Sequence, residues 1–326
     1  MKRLLLGTLA AFALGATTGA GAKEKITYAY LIEPAMEGVL YGIKSGIVKS
    51  DTIEIEMSSL GIPALIQSTP TRRYDVIMNA VMSIPRAQAR GLQLVVLSTA
   101  LRSPPGREGG AIWVKADSPY KTVADLKGKR MGNVALQSTG TTWQRIALWK
   151  KHGINVSYKG GDFKWVQMPA PALLGALEAG RVDAAGLIHS QAYKADKSGK
   201  YRVVAYTSRD INELYGVDVV PAVNVSYPNK LEARPAAFRE FNRMLKASVD
   251  YALANRRKVG EAISREHNMS PDFFEAWLTR FSFFPATVSK ADAKAFETVW
   301  QGAKELGILK SYPKADSVIW EHAIRD

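Results

Sequence analysis

The feature that most constrains this chain is an alternation of short apolar or β-branched runs with amphipathic stretches. It proceeds through the first hundred or so residues, breaks off at Arg102-Ser103-Pro104-Pro105-Gly106, and then starts again. The first round offers strands at residues 26–31, 53–57, 75–79 and 94–98, with helices expected at 34–45, 63–69 and 84–90. The second round offers strands at 111–115, 130–135, 164–168, 183–188 and 202–206. A chain passing repeatedly from strand to helix to strand builds a mixed, mostly parallel sheet covered by helices on both faces. Two such rounds in 326 residues exceed what one hydrophobic core organises, so an α/β protein of two lobes is expected.

The lobes should be tied together twice. A further strand at 222–226 returns the chain to the first sheet, and from Pro235 onward the pattern is almost wholly helical. Phe238, Phe241, Leu245, Val249 and Ala252 share one helical stripe, while Pro271, Pro285 and Pro313 punctuate the later helices. A tail without strands forms no third α/β core and is expected to pack on the first lobe. The boundaries that follow are 23–101 plus 216–326 for the first lobe and 102–215 for the second, with crossings near 99–106 and 207–221. The halves also echo each other, in Arg73-Tyr74-Asp75-Val76-Ile77-Met78 and Arg181-Val182-Asp183-Ala184-Ala185-Gly186. Ligands of open α/β sheets sit beyond the carboxyl ends of the strands. Asn79 and Ala80 should therefore face His189 and Ser190.

Lys2 and Arg3 precede an apolar run at 4–14, and Ala20-Gly21-Ala22 supplies a small-residue cleavage pattern, so residues 1–22 read as an export signal cut after Ala22. That run is too short to span a bilayer. The chain has no cysteine, which removes disulfides, thiolate catalysis and Cys-ligated zinc. Its four histidines form no His-x-x-x-His or His-Glu pair, so neither a metal nor a cofactor is expected. A formal charge of +14 raises the question of nucleic acid, yet the basic residues are scattered among acids, and no nucleic-acid partner is expected. There is no Gly-x-Ser-x-Gly, no His-Glu-x-x-His and no Ser-x-x-Lys set in a suitable strand-turn-helix, so no catalytic residue is assigned.

Candidate binding residues cluster at the strand ends. Ser138-Thr139-Gly140-Thr141-Thr142 opens a helix whose first backbone N–H groups can hold an anion or other acceptor-rich ligand. Its hydroxyls have a second role open to them as helix caps. Trp143 shares a helical face with Ile146 and reads as core, or else turns to the cleft to stack on an aromatic ligand. Glu33, just before Pro34, is either a solvated charge favoured by the helix dipole or a cleft acceptor for ligand amines. His189 reads as a neutral side chain donating one hydrogen bond.

Three segments in their order carry a resemblance to a known family: residues 117–130 ending Asp125-Leu126-Lys127-Gly128-Lys129-Arg130, the turn Ser138-Thr139-Gly140-Thr141-Thr142, and Leu177-Glu178-Ala179-Gly180-Arg181-Val182-Asp183-Ala184. The chain resembles the periplasmic solute-binding proteins of ABC importers for nitrate, alkanesulfonates, taurine and thiamine precursors, most clearly over residues 115–206. The resemblance implies a two-lobed, hinged type II periplasmic binding protein, exported and monomeric, that closes on its ligand and delivers it to an ABC permease in the inner membrane without catalysis. The same clamp would serve a sensor signalling to a membrane receptor. With the strand-end argument, the expected ligand-binding set is Glu33, Asn79, Ala80, Ser138, Thr139, Gly140, Thr141, Thr142, Trp143, His189 and Ser190. The expected ligand is a small organic acid, a sulfonate or carboxylate, aromatic or nitrogen-bearing. Two departures keep any one relative's specificity from being carried over: Asn79-Ala80-Val81 stands where many members have Gly-Ser or Gly-Gly, and His189-Ser190-Gln191 where many have a Trp-Glu-Pro-like segment. Thiamine-precursor synthases of this fold rely on a cysteine-rich motif, which this chain lacks.

Overall fold

The computed structural model describes residues 22–104 and 106–326. The export signal expected over 1–22 lies, but for Ala22, outside the described residues. Within them run ten strands: β1 (Glu24–Leu31), β2 (Ile53–Leu60), β3 (Val76–Ala80), β4 (Val95–Leu101), β5 (Ala111–Lys115), β6 (Arg130–Asn133), β7 (Lys164–Gln167), β8 (Ala184–Gly186), β9 (Tyr201–Tyr206) and β10 (Ala222–Ser226). They form two five-stranded sheets, ordered β2-β1-β3-β10-β4 and β7-β6-β8-β5-β9. β1 pairs in parallel with β2 from Glu24↔Ile53 to Leu31↔Leu60 and with β3 at its far end, and β6 pairs in parallel with β7 and β8. Strands such as β3 and β5 are buried over nearly their whole length, as sheets covered on both faces require.

One strand in each sheet runs against the rest: β10 is antiparallel to β3 and β4, and β5 is antiparallel to β8 and β9. Each is the first strand after the chain has changed sheets. The reason is geometric: β4 and β9 end at the carboxyl edges, where the chain crosses, so the next strand starts at that edge and runs away from it.

The helix expected as one piece at 34–45 is two, Pro34–Val39 and Tyr41–Lys44, joined at Leu40. Gly38 lies beneath the Phe274 ring, where a methyl group would collide with the aromatic carbons. The long helix Pro235–Ala254 buries the expected stripe of Phe238, Phe241, Leu245, Val249 and Ala252, with Phe241 edge-on to Tyr28 at 5.3 Å. The later tail reaches further than the first lobe. Helix Lys290–Glu305 lies against helix Thr139–His152 of the second half, where Gly302 leaves room for Ile146 and Lys150 pairs with Glu305 at 2.7 Å.

The sequence echo is structural. The Asp75 carboxylate accepts from the backbone N–H of Thr27 in β1 at 2.9 Å, and the Asp183 carboxylate accepts from that of Arg130 in β6 at 2.8 Å. Each aspartate thus staples the start of its own strand to a neighbour. No helix among the described residues is long and apolar enough to cross a membrane.

Candidate functional site

The carboxyl edges of the two sheets enclose a cavity of about 190 Å³. The first half supplies an apolar wall that includes Leu31, Leu65, Ile66, Met78, Ala80 and Leu101, together with Asn79. The second half supplies Trp113, Asn133, Ser138, Thr139, Gly140, Thr141, Trp143, Gln144 and His189, and Phe281 and Ser282 of the tail close a third side.

Hydrogen bonds hold the halves together around it. The buried Met82 N–H donates to Thr139 Oγ1 at 3.0 Å, Arg86 Nη1 donates to the Gln137 carbonyl at 2.5 Å, and Trp143 Nε1 donates to the Val220 carbonyl at 3.4 Å. Glu33 accepts from the Ser190 backbone N–H at 3.1 Å and from its hydroxyl at 3.4 Å. Burial pushes the Glu33 carboxyl up to about 7, against the pull of both Ser190 bonds and the charge of Lys194.

The hydroxyls of the helix-opening turn are spent within the protein. Ser138 is the N-cap of helix Thr139–His152, accepting from Thr141 N at 3.1 Å; Thr141 Oγ1 donates to the Ala135 carbonyl and Thr142 Oγ1 to that of Ser138. Ser138 is thus the cap, while Thr139 Oγ1 is the acceptor for the Met82 N–H of the other half. What the turn offers the cavity is the backbone N–H groups of Thr139 and Gly140, which make no bond among the described residues. Gly140 also leaves open space above itself, since a methyl group there would meet only Ser138 Oγ at 3.9 Å.

Eight of the eleven expected residues line the cavity: Asn79, Ala80, Ser138, Thr139, Gly140, Thr141, Trp143 and His189. Glu33, Thr142 and Ser190 do not. Glu33 and Ser190 are engaged with each other, and Thr142 turns back to its own N-cap. Asn79 faces inward but donates to Thr69 Oγ1 at 2.6 Å and accepts from Ala80 N at 2.9 Å. Trp143 is 1% exposed and borders the cavity, with its indole N–H already committed to Val220. His189 is buried, its ring held neutral by a pKa that burial pushes down to about 4.

Sequence reasoning missed Trp113, Asn133, Gln144 and the tail segment. Asn133 Nδ2 donates to Gln144 Oε1 at 2.6 Å, leaving Asn133 Oδ1, Gln144 Nε2 and Trp113 Nε1 buried without a partner. A polar Asn at the end of an apolar strand was the available signal. The tail gave none: Trp277–Phe281 winds as a π-turn, a form common at functional sites, and only its packing brings Phe281 to the cavity. The charged lining residues are both occupied elsewhere. Arg102 pairs with Asp292 at 3.3 Å, and Glu108 with Arg280 at 2.7 Å and Arg209 at 3.3 Å. Among the described residues no group of three His, Cys, Asp or Glu side chains is placed to hold a metal.

Comparison with known proteins agrees with this geometry. The alkanesulfonate-binding protein SsuA from Xanthomonas axonopodis pv. citri, solved bound to MOPS, superposes with a TM-score of 0.73 at 17% identity over 94% of this chain and 100% of that one. At that identity the likeness is one of fold. The ABC transporter arginine-binding protein 1 of Escherichia coli (strain K12) is 29% identical over 155 residues, 44% of this chain and 57% of that protein. The 4,5-dihydroxyphthalate decarboxylase of Comamonas testosteroni is 30% identical over 97 residues, 30% of this chain and 28% of the enzyme. The chain thus matches less than two thirds of the length of either curated relative. Residues 66–259, more than half of the protein, match the family described as NMT1/THI5 like. The chain is a member of the NMT1/THI5-like family.

Proposed function

We propose that this protein is the solute-binding component of an ABC import system, exported to the periplasm, where it captures a small organic solute between its halves and presents it to a membrane permease. The observation that carries the reading is the cavity itself, walled by both sheets and closed over by bonds that run from one to the other. The lobes would be 23–101 plus 216–326 and 102–215, moving as a monomer about the two crossings. A solute touching both walls stabilises the closed form by its differential affinity; a shift from 1:99 to 99:1 takes about 5.5 kcal/mol.

The lining favours an organic acid with an apolar or aromatic body. The first half presents hydrocarbon, while the unspent N–H groups of Thr139 and Gly140 at a helix start accommodate a carboxylate or sulfonate. The fold likeness to the alkanesulfonate-binding protein and the partial sequence similarity to the arginine-binding protein support capture as the activity.

Thermal unfolding of the mature protein against sulfonates, carboxylates, nitrate, pyrimidines and amines tests the reading. A true ligand at 100 times its Kd adds about 2.7 kcal/mol to stability. A panel in which no compound raises Tm or reduces the radius of gyration in solution scattering overturns it.

A further inference from the structure

Resting on that reading, we propose that Trp277 locks His189 into a single tautomer, and that the resulting Nε2–H is the donor by which the cavity recognises an acceptor atom of its solute. His189 and Trp277 are 88 positions apart in the chain, at the first position of helix His189–Ser198 and in the π-turn of the tail. Their side chains meet in the interior, where Trp277 Nε1 donates to His189 Nδ1 at 2.9 Å. An indole N–H can only donate, so Nδ1 must carry the lone pair and the neutral ring must carry its proton on Nε2. Burial disfavours the doubly protonated ring, as the lowered pKa of about 4 reflects.

Nε2 is then the one polar atom of the side chain left to use. It makes no bond among the described residues, and it is absent from the buried atoms that lack a partner, so it remains accessible; His189 borders the cavity. The backbone pays for this placement: His189 has φ of 46°, a left-handed conformation uncommon outside glycine. With Trp277 entirely buried, the ring is clamped on one nitrogen and offered on the other. The pair thus selects for a solute that places a carboxylate, sulfonate or carbonyl oxygen at Nε2 and against one that places an ammonium there.

Long-range proton–nitrogen NMR of the ¹⁵N-labelled mature protein, with benzoate and benzenesulfonate as probes, tests the proposal. Wild type should show His189 with a protonated Nε2 and a bare Nδ1, and either probe should move the Nε2–H resonance. Trp277→Phe should let the Nδ1–H form appear. His189→Asn tolerates the left-handed backbone and keeps an oxygen for Trp277 but has no atom at the Nε2 position, so it should bind the probe at least tenfold more weakly. His189→Gln, which restores an N–H near that position, should recover part of the loss. A bare Nε2 in the free protein, or unchanged probe affinity in His189→Asn, overturns the proposal. If only amines without an acceptor oxygen bind in the wider panel, acceptor recognition fails and solute capture stands; if another acceptor-bearing compound binds in place of the two probes, it takes their place in the same measurements; if nothing binds, both fall.

Discussion

Glu33 Oε1 lies 3.1 Å from the backbone nitrogen of Ser190, a residue 157 positions further along the chain and on the other half of the molecule. A carboxylate that stands at the start of one helix thus accepts from the start of another across the gap. The bond is a latch between the halves, and neither residue lines the cavity.

The latch gives closure a pH dependence. In the closed arrangement the Glu33 carboxyl is raised by burial to about 7, and on opening into water it would return toward its ordinary 4.5. The closed form therefore holds the extra proton, so its advantage is fully present below the lower value and is lost as pH rises through the higher one. Solution scattering of the ligand-free protein should give a smaller radius of gyration at about pH 5 than at about pH 8, and Glu33→Gln should flatten the trend. A wild-type profile with no change across that range contradicts this.

Thr139→Ala should loosen closure. Thr139 Oγ1 is the acceptor for the buried Met82 N–H, and an orphaned buried donor costs about 1–3 kcal/mol. Thr139→Ser, which keeps the hydroxyl, should behave close to wild type in the same scattering and thermal measurements. Equal losses in both variants would assign the effect to the missing methyl group.

Gly186→Ala should disturb the cavity floor. A methyl group there would stand 2.5 Å from Asn133 Oδ1 and 3.2 Å from Gln144 Nε2, so the amide pair must move. Overpacking of this kind costs about 1–3 kcal/mol. Thermal unfolding should show it, and affinity for any ligand found by the panel should fall as well; an unchanged Tm would mean that the pair shifts freely.

Asp292→Ala should be the most destabilising of these substitutions. Asp292 is 1% exposed, accepts from Thr99 Oγ1 and Ser289 N, completes the capping box of helix Lys290–Glu305 and faces Arg102 at 3.3 Å. Removing one partner of a buried charge pair costs about 3–5 kcal/mol. Urea unfolding should register a loss of that order, whereas a loss under about 1 kcal/mol would show that Arg102 and Thr99 find other partners.

Much of the architecture was legible because strand and helix periodicities are local. β5 and β10 lie at the residues expected, and the paired Asp75 and Asp183 signalled two similar halves because each answers the same backbone need at the start of a parallel pair. The helix-opening turn at Ser138 was legible for the same reason, as a cap depends on residues within one turn of it. The bond between Glu33 and Ser190 was not legible, because the two residues are remote in sequence. Trp113, Gln144 and Trp277 read as ordinary interior side chains, and their polar atoms acquire meaning only from what surrounds them.

The order of amino acids by itself determined two rounds of strand and helix, a helical tail and a capped helix start at Ser138, since each depends on hydrophobic spacing and capping among near neighbours. The tertiary structure decided which strand of each sheet runs backwards, that the tail straps both halves, and that His189 meets Trp277. Those outcomes depend on where distant segments come to rest. Packing and hydrogen-bond satisfaction among residues far apart in the chain settle them, and no local pattern encodes either.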